Sequence, residues 1–336
     1  MGSFWLFRSD LRQLESYHQY KYLNEFKLNC HDFYLLMSLF FLENKDFDEV
    51  IIWRLQPKQK VDDIIFDING RKFIQKFVDT FKESYLYDEP DISFFRGGFK
   101  SYCEITKENP KHFGLKLYLG AGRRVTPQYG GKYDRILVES EKDIVEYLKC
   151  IPFYKTSNNN IFFPSDLEKE YDLCFVSNFE QVKFKGQEFF IKEVSKSDYL
   201  RSIKILHIGN QPNVGINLSR KYRVDNISYM GTKSRQEINT FLNKSRFGVV
   251  CSDDSDGCPR VITEILMTGT PLIIRDKTRL LNFYKEKGVC VFSDNDLENK
   301  VRHSMGSYNT LKQEVMENIN NITIDKICNM NLKLWR

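Results

Sequence analysis

From residue 171 to residue 292 the chain alternates short runs rich in β-branched and aromatic residues with stretches of helical periodicity. The runs at 171–176, 203–208, 227–230, 247–251, 271–274 and 289–292 read as strands, and helical patterns occupy 186–194, 234–244, 259–267 and 279–287. A helix between two strands returns the chain to the edge from which it set out. The strands therefore run parallel, and right-handed crossovers cover both faces of the sheet. This half is expected to be a doubly wound α/β domain.

The first half shows the same grammar less cleanly. Strands are expected at 4–7, 49–55, 92–95, 115–119 and 134–138, with helices at 32–43, 72–81 and 142–149, which makes a second Rossmann-like domain. Two domains suit a chain of 336 residues, longer than the size at which one hydrophobic core usually keeps growing. Residues 151–166 hold Pro152, the run Ser157-Asn158-Asn159-Asn160 and Pro164, a composition that places a linker and its hinge there. The expected division is 1–155, then 165–295, then a helical segment over 296–336 that packs back on the N-terminal domain; within it a polar helical stretch covers 295–318.

Charge and cysteine usage narrow the partners. Lys+Arg number 50 against 45 Asp+Glu, with no block of five like charges, so nucleic acid is not an expected partner. A few cations gathered in one cleft suffice for a phosphate-bearing ligand. The eight cysteines are scattered without CxxC spacing, and the apolar run near Met1 is too short for a secretory leader. A reduced, cytoplasmic compartment is expected, with the cysteines as small buried hydrophobes. Leu6 stands where myristoylation of Gly2 wants Ser or Thr. The apolar run at 33–42 is too short to span a bilayer and reads as a buried helix, so no transmembrane segment is expected; peripheral membrane contact stays open.

The stretch 249–271 carries the chemistry. An apolar strand runs into an acidic loop, and the loop into a helix that Pro259 suits in its first turn and that Gly269 and Pro271 terminate. That loop lies at the strand's carboxyl end, where open α/β sheets bind ligands. The N–H groups of Gly257, Cys258, Arg260 and Val261 gather at the helix start, where unpaired donors and the helix dipole favour an anion such as a diphosphate. Val261, Ile262, Ile265 and Leu266 are expected to form the buried face, with Glu264 on its flank. Asp256 and Glu264 then share a cleft, where carboxylates accept hydrogen bonds from sugar or ribose hydroxyls. The plainer alternative has Asp256 offsetting the dipole and Arg260 pairing with Glu264 one turn on, worth about 0.2–0.5 kcal/mol.

The run from Asp256-Gly257-Cys258-Pro259 to Glu264, with Gly269-Thr270-Pro271-Leu272-Ile273-Ile274 after it, resembles the Glu-x7-Glu donor motif and following strand of the retaining glycosyltransferases of family 4. Asp256 stands where the family has Glu. Upstream, Tyr171-Asp172-Leu173-Cys174-Phe175-Val176-Ser177-Asn178 and then Lys183-Phe184-Lys185-Gly186 are similar to the family's first C-domain strand, phosphate loop and Lys-Gly. Ser177-Asn178 replaces the usual Gly-Arg. The stretch 132–140 resembles the last strand of the family's N-terminal domain; the resemblance covers about residues 130 to 290 and almost none of 1–90.

The resemblance implies the GT-B fold, two Rossmann-like doubly wound α/β domains facing each other across a cleft. It implies that residues 165–295 hold a nucleotide-diphosphate sugar and 1–155 the acceptor. Asp256 would contact the donor sugar and Glu264 the ribose. Lys185 would place a charge on the leaving diphosphate, with Lys183 standing in for the missing Arg, and Asn178, Gly257, Cys258, Arg260 and Val261 would complete the donor site. A solvated turn is the alternative reading of both lysines.

Phe94-Phe95-Arg96-Gly97-Gly98 either lines the acceptor pocket through Arg96, Gly97 and Gly98 or makes a plain strand-to-helix turn. Gly120-Ala121-Gly122-Arg123-Arg124 lacks the helix of a dinucleotide fingerprint and reads as a basic loop. The five histidines show no metal spacing, so neither metal nor cofactor is expected beyond the nucleotide sugar itself. The expected activity is metal-independent transfer of a hexosyl group to a hydroxyl of a glycan, glycoprotein or other acceptor, with retention of anomeric configuration. A sugar-nucleotide 2-epimerase on the same fold and a non-catalytic nucleotide-sugar-binding module are the alternatives.

Overall fold

Strand β1 (Ser3–Arg8), with Phe4, Trp5, Leu6 and Phe7 all buried, lies inside an eight-stranded sheet. The structure is a computed structural model that describes residues 2–8, 22–30, 32–55, 62–97, 99–119, 132–143, 149–179, 182–254, 258–286 and 288–336. Two units emerge, Met1–Tyr154 with Ile327–Arg336 (unit 1) and Lys155–Lys326 (unit 2).

In unit 1, β2 (Glu49–Leu55), β3 (Ile64–Ile68), β4 (Arg71–Val78), β5 (Ile92–Arg96), β6 (Leu115–Leu119), β7 (Arg135–Val138) and β8 (Cys150–Pro152) join β1 in the order β3-β4-β2-β1-β5-β6-β7-β8. Only the β3–β4 pair is antiparallel. Near-continuous apolar strands are what a parallel sheet covered on both faces requires. Trp5, Phe7, Trp53, Phe95 and Phe113 pack on one face. Helices α1 (Leu23–Asn29), α2 (Phe33–Glu43) and α3 (Phe99–Glu108) belong to this unit. Residues Phe33 through Leu42 of α2 are all buried, so the run has no polar face and sits in the core. Its start is set by Asp32, whose side chain accepts from the N–H groups of Tyr34 and Leu35.

One expected helix is a strand. Of the stretch 72–81, residues 72–78 belong to β4, paired as a hairpin with β3 through Asn69-Gly70 at φ 55° and 79°, and Phe81 opens a 3-10 turn. Two successive residues at positive φ match the twist of the flanking strands, and Asn-Gly is the dipeptide that adopts them most readily. Of the helix expected at 142–149, only a 3-10 turn at Glu141–Asp143 is described, and 144–148 lie outside the described residues. Near its end the chain returns to unit 1: Trp335 packs among the rings of Phe4, Phe41, Phe94 and Phe153 with centroids 5.6–6.4 Å away. Asn331 donates to the Tyr154 carbonyl at 2.8 Å and accepts from its N–H at 3.0 Å.

Unit 2 is built on β9 (Tyr171–Val176), β10 (Ile205–Ile208), β11 (Ile227–Tyr229), β12 (Ser245–Val250), β13 (Leu272–Arg275) and β14 (Val289–Phe292), all parallel in the order β11-β10-β9-β12-β13-β14. The order turns between β9 and β12, which makes that edge the switch point. Helices α4 (Val182–Lys185), α5 (Gln187–Ser195), α6 (Asp198–Ser202), α7 (Pro212–Tyr222), α8 (Arg235–Asn243), α9 (Val261–Met267), α10 (Leu297–Gly306) and α11 (Tyr308–Asn318) connect and follow the strands. Residues 279–287, expected as a helix, hold buried Leu280 and Leu281 and a 3-10 turn at Asn282–Lys285; Lys287 lies outside the described residues. The long stretch at 295–318 is α10 and α11, separated at Ser307.

The Asn-rich segment expected as a linker is packed against unit 2. Thr156, Asn158, Ile161 and Phe162 are buried, and the N–H groups of Phe163 and Ser165 donate to the side chains of Asn239 and Asn243 on α8. The division falls between Tyr154 and Lys155, and again between Lys326 and Ile327, inside α12 (Ile324–Trp335).

Candidate active site

The loops after β9 and β12 meet because their strands are neighbours at the switch point of unit 2. Gly186, at φ +73°, joins α4 to α5, and a Cβ there would stand 2.1 Å from the Cys251 carbonyl oxygen. Only glycine lets this junction lie against the chain leaving β12. The Asp253 N–H donates to the Phe184 carbonyl at 3.0 Å, tying the same segments together. Lys185, partly exposed, is thereby fixed in sequence between two points of contact with the β12 loop.

Buried Gln187 donates through Nε2 to Ser177 Oγ and to the Asn178 carbonyl, both at 2.6 Å. Asn178 Oδ1 accepts from the Asn210 N–H at 3.0 Å, and Asn210 Oδ1 accepts from the Phe179 N–H at 2.9 Å. This reciprocal pair clamps the loops after β9 and β10, so the Asn178 side chain shapes the loop. Beside it the His207 ring lies 4.6 Å from Phe179 and 5.4 Å from Tyr229, and burial pushes its imidazole down to about 4.

Helix α9 begins at Val261, with Pro259 just before it accepting at its carbonyl from the Ile262 N–H. Ile262 to Met267 are buried all round the helix and Val261 is partly exposed, so the expected apolar stripe with Glu264 on its flank is replaced by a fully buried helix. Glu264 is 3% exposed, and its Oε1 accepts from Arg235 Nη1 of α8 at 2.8 Å. The cation paired with Glu264 is thus Arg235 from the neighbouring helix, where the plainer alternative had placed Arg260 one turn away. Thr263 Oγ1 bonds the Arg260 carbonyl at 2.9 Å and lies 2.8 Å from Ser157 Oγ. The Cys258 carbonyl accepts from Lys155 Nζ at 3.1 Å, and Tyr284 Oη brackets the Lys155 backbone. Asp256, Gly257, Gly98 and the side chain of Lys183 lie outside the described residues. Arg96 ends β5 of unit 1, and after Gly97 the chain runs on into α3.

Residues 170–305 match the family model described as Glycosyl transferases group 1. Over those residues, fewer than half of the chain, the sequence is similar to that family. The chain also shares its fold with solved structures. Sucrose-phosphate synthase from Thermosynechococcus elongatus superposes with a TM-score of 0.70 at 12% identity, covering 100% of this chain and 98% of that one. A glycosyltransferase from Rickettsia africae ESF-5 gives 0.66 at 13%, covering 99% and 97%. HepE of Anabaena, in complex with UDP and glucose, gives 0.63 at 8%, covering 99% of each. The fold is of the GT-B type, with two Rossmann-like α/β units. No curated protein matches the chain.

Sequence reasoning passes over several residues of this site. Lys155 and Arg235 have partners 103 and 29 residues away, so no local spacing announces them. Asp294-Asn295-Asp296 after β14 is an Asp-x-Asp pattern, but Asp294 accepts from Arg275 Nε at 2.7 Å and Lys277 Nζ at 2.5 Å. Those bonds, Arg275 first, hold its carboxyl down at about 2. Among the described residues no group of three or more His, Cys, Asp or Glu could hold a metal, and no helix is long and apolar enough to cross a membrane.

Proposed function

We propose that the chain moves a sugar from a nucleotide-diphosphate sugar to an acceptor hydroxyl with retention of configuration, and that the donor binds at the β9–β12 switch point of unit 2. The observation that carries this is the packing of Gly186 onto Cys251, which fixes Lys185 beside the β12 loop within the stretch that matches the family.

Lys185 then stabilises the charge that grows on the diphosphate as the bond to the anomeric carbon breaks. Lys183 and the N–H groups of Gly257, Cys258, Arg260 and Val261 share that charge, while Asn178 holds the loop in shape. Arg235 fixes one oxygen of Glu264 and the other accepts from the ribose hydroxyls. Asp256 accepts from hydroxyls of the donor sugar. The acceptor hydroxyl attacks from the face the diphosphate leaves, a new glycosidic C–O bond replaces the old one, and the departing phosphate oxygen takes the proton.

The reaction runs without a metal in this reading, since lysines supply the countercharge and both oxygens of Asp294 are engaged by cations. A reduced, cytoplasmic setting suits a chain whose eight cysteines are scattered without CxxC spacing. The UDP in the HepE structure makes UDP the first nucleotide to try. A thermal-shift panel of nucleoside diphosphates tests the donor site, since a ligand of the folded state raises apparent stability. Incubating the stabilising donor with and without candidate acceptors, in excess EDTA, tests the reaction. Silence across the nucleotide panel, isomerised donor without acceptor, or activity lost on chelation and restored by magnesium or manganese each sinks the corresponding part.

A further inference from the structure

Three adjacent strands of unit 1 carry an aromatic residue followed by arginine at or next to their carboxyl end: Phe7-Arg8 closes β1, Phe95-Arg96 closes β5, and Trp53-Arg54 stands one residue before the end of β2. Arg8 is in register with Arg54 on one side and with Arg96 on the other. Side chains in register on neighbouring parallel strands leave the same face, so the three stand in a row with strands about 4.8 Å apart. The row lies at the carboxyl edge of the sheet, where β2 and β5 flank β1 and the strand order turns. Two residues earlier on the same face the row is Ile52, Leu6 and Phe94, all buried and apolar.

The row is a built feature. Arg8 and Arg54 are buried at 2% and 3% exposure, and Arg96 is partly exposed. Arg8 Nη1 donates to Asp32 Oδ2 at 2.5 Å, and Asp32 in turn caps α2. The Tyr34 ring lies 4.3 Å from the Arg96 guanidinium and 5.7 Å from that of Arg8. Tyr102 Oη donates to the carbonyls of Phe7 and Arg96, tying β1 to β5 where the row sits. Asp32 offsets the charge of Arg8, and burying guanidiniums at one sheet edge carries a desolvation cost that apolar residues would avoid.

We propose that Arg54, Arg8 and Arg96 bind an anionic group, carboxylate or phosphate, on the sugar acceptor. The proposal rests on the glycosyltransferase reading for the word acceptor, and on the row alone for the anion. A guanidinium offers a planar fork of donors that matches both groups.

The test measures binding of glucose 6-phosphate, glucuronate and neutral glucose to the full chain by calorimetry, with a saturating nucleoside diphosphate present so that any diphosphate site is filled. At least one anionic sugar should bind more tightly than glucose, and Arg96→Gln should weaken that sugar about tenfold, the loss of one charge-assisted bond. Nucleotide affinity should not change. The tighter anion tells phosphate from carboxylate. Arg96→Lys keeps charge without the fork and should fall between; it serves as the test if Arg96→Gln loses its circular-dichroism spectrum. No preference for either anion over glucose, or a preference that survives at Arg96, overturns the proposal. Failure of every nucleoside diphosphate to bind overturns the donor reading and leaves the sugar measurements readable.

Discussion

Near the carboxyl edge of unit 1 three adjacent strands carry Arg54, Arg8 and Arg96 in register, whereas at the same edge of unit 2 the strands β10, β9 and β12 close on apolar Ile208, Val176 and Val250 and give way to Gly209, Ser177 and Cys251. Both sheets turn their strand order there. The fold therefore decides where a ligand edge lies, and the residue that ends each strand decides what kind of edge it is. Guanidiniums present permanent charge on side chains. Small neutral residues let backbone segments close on one another, as Gly186 and Cys251 do.

The comparison breaks most severely at Gly186. A Cβ 2.1 Å from a carbonyl oxygen, at positive φ, makes Gly186→Ala cost about 3 kcal/mol or more, read from the urea midpoint. An unmoved midpoint would show that the close approach is dispensable. Next, Lys185→Ala should lower kcat by a factor on the order of 10² while the circular-dichroism spectrum stays native. If Lys183→Ala proves the sensitive variant instead, the phosphate contact moves by two residues and the mechanism stands.

His207 sharpens the contrast through pH. Burial holds it neutral down to about 4, against 6.5 in the unfolded chain. Between those values the unfolded chain binds more protons, so stability falls as pH drops below about 6.5, by on the order of 2 kcal/mol at pH 5. Melting curves of His207→Phe should lose that part of the pH dependence; an unchanged slope would put the acid sensitivity elsewhere. The arginine row has no such window, because guanidinium stays charged. Smallest is Glu264→Gln, expected to raise the donor KM about tenfold with kcat nearly unchanged. A drop in kcat alone would place Glu264 at the reacting centre.

The parallel sheet of unit 2 was legible because its strands are short, β-branched and separated by turn residues, and each expected strand overlaps an observed one. β4 was misread because Arg71–Val78 spaces its apolar residues as a helix also would; the Asn69-Gly70 turn before it was the stronger signal. Of the candidate site, Lys185, Gly186 and Glu264 were named by resemblance. The Glu264 partner could not, since a buried carboxylate's countercharge comes from whichever helix packs beside it. The arginine row was present as three aromatic-arginine pairs at or near strand ends, but register joins them, and register is invisible until the strand order is known.

The split of α12 bears on how the molecule is made. Residues 327–336, with Trp335 among Phe4, Phe41, Phe94 and Phe153, belong to unit 1, yet a ribosome delivers them only after all of unit 2. The unit begun first is thus finished last, and its aromatic core stays unplugged throughout translation of the other. A premature stop just after Lys326 spares every residue of unit 2 and still takes from unit 1 the indole on which its core closes.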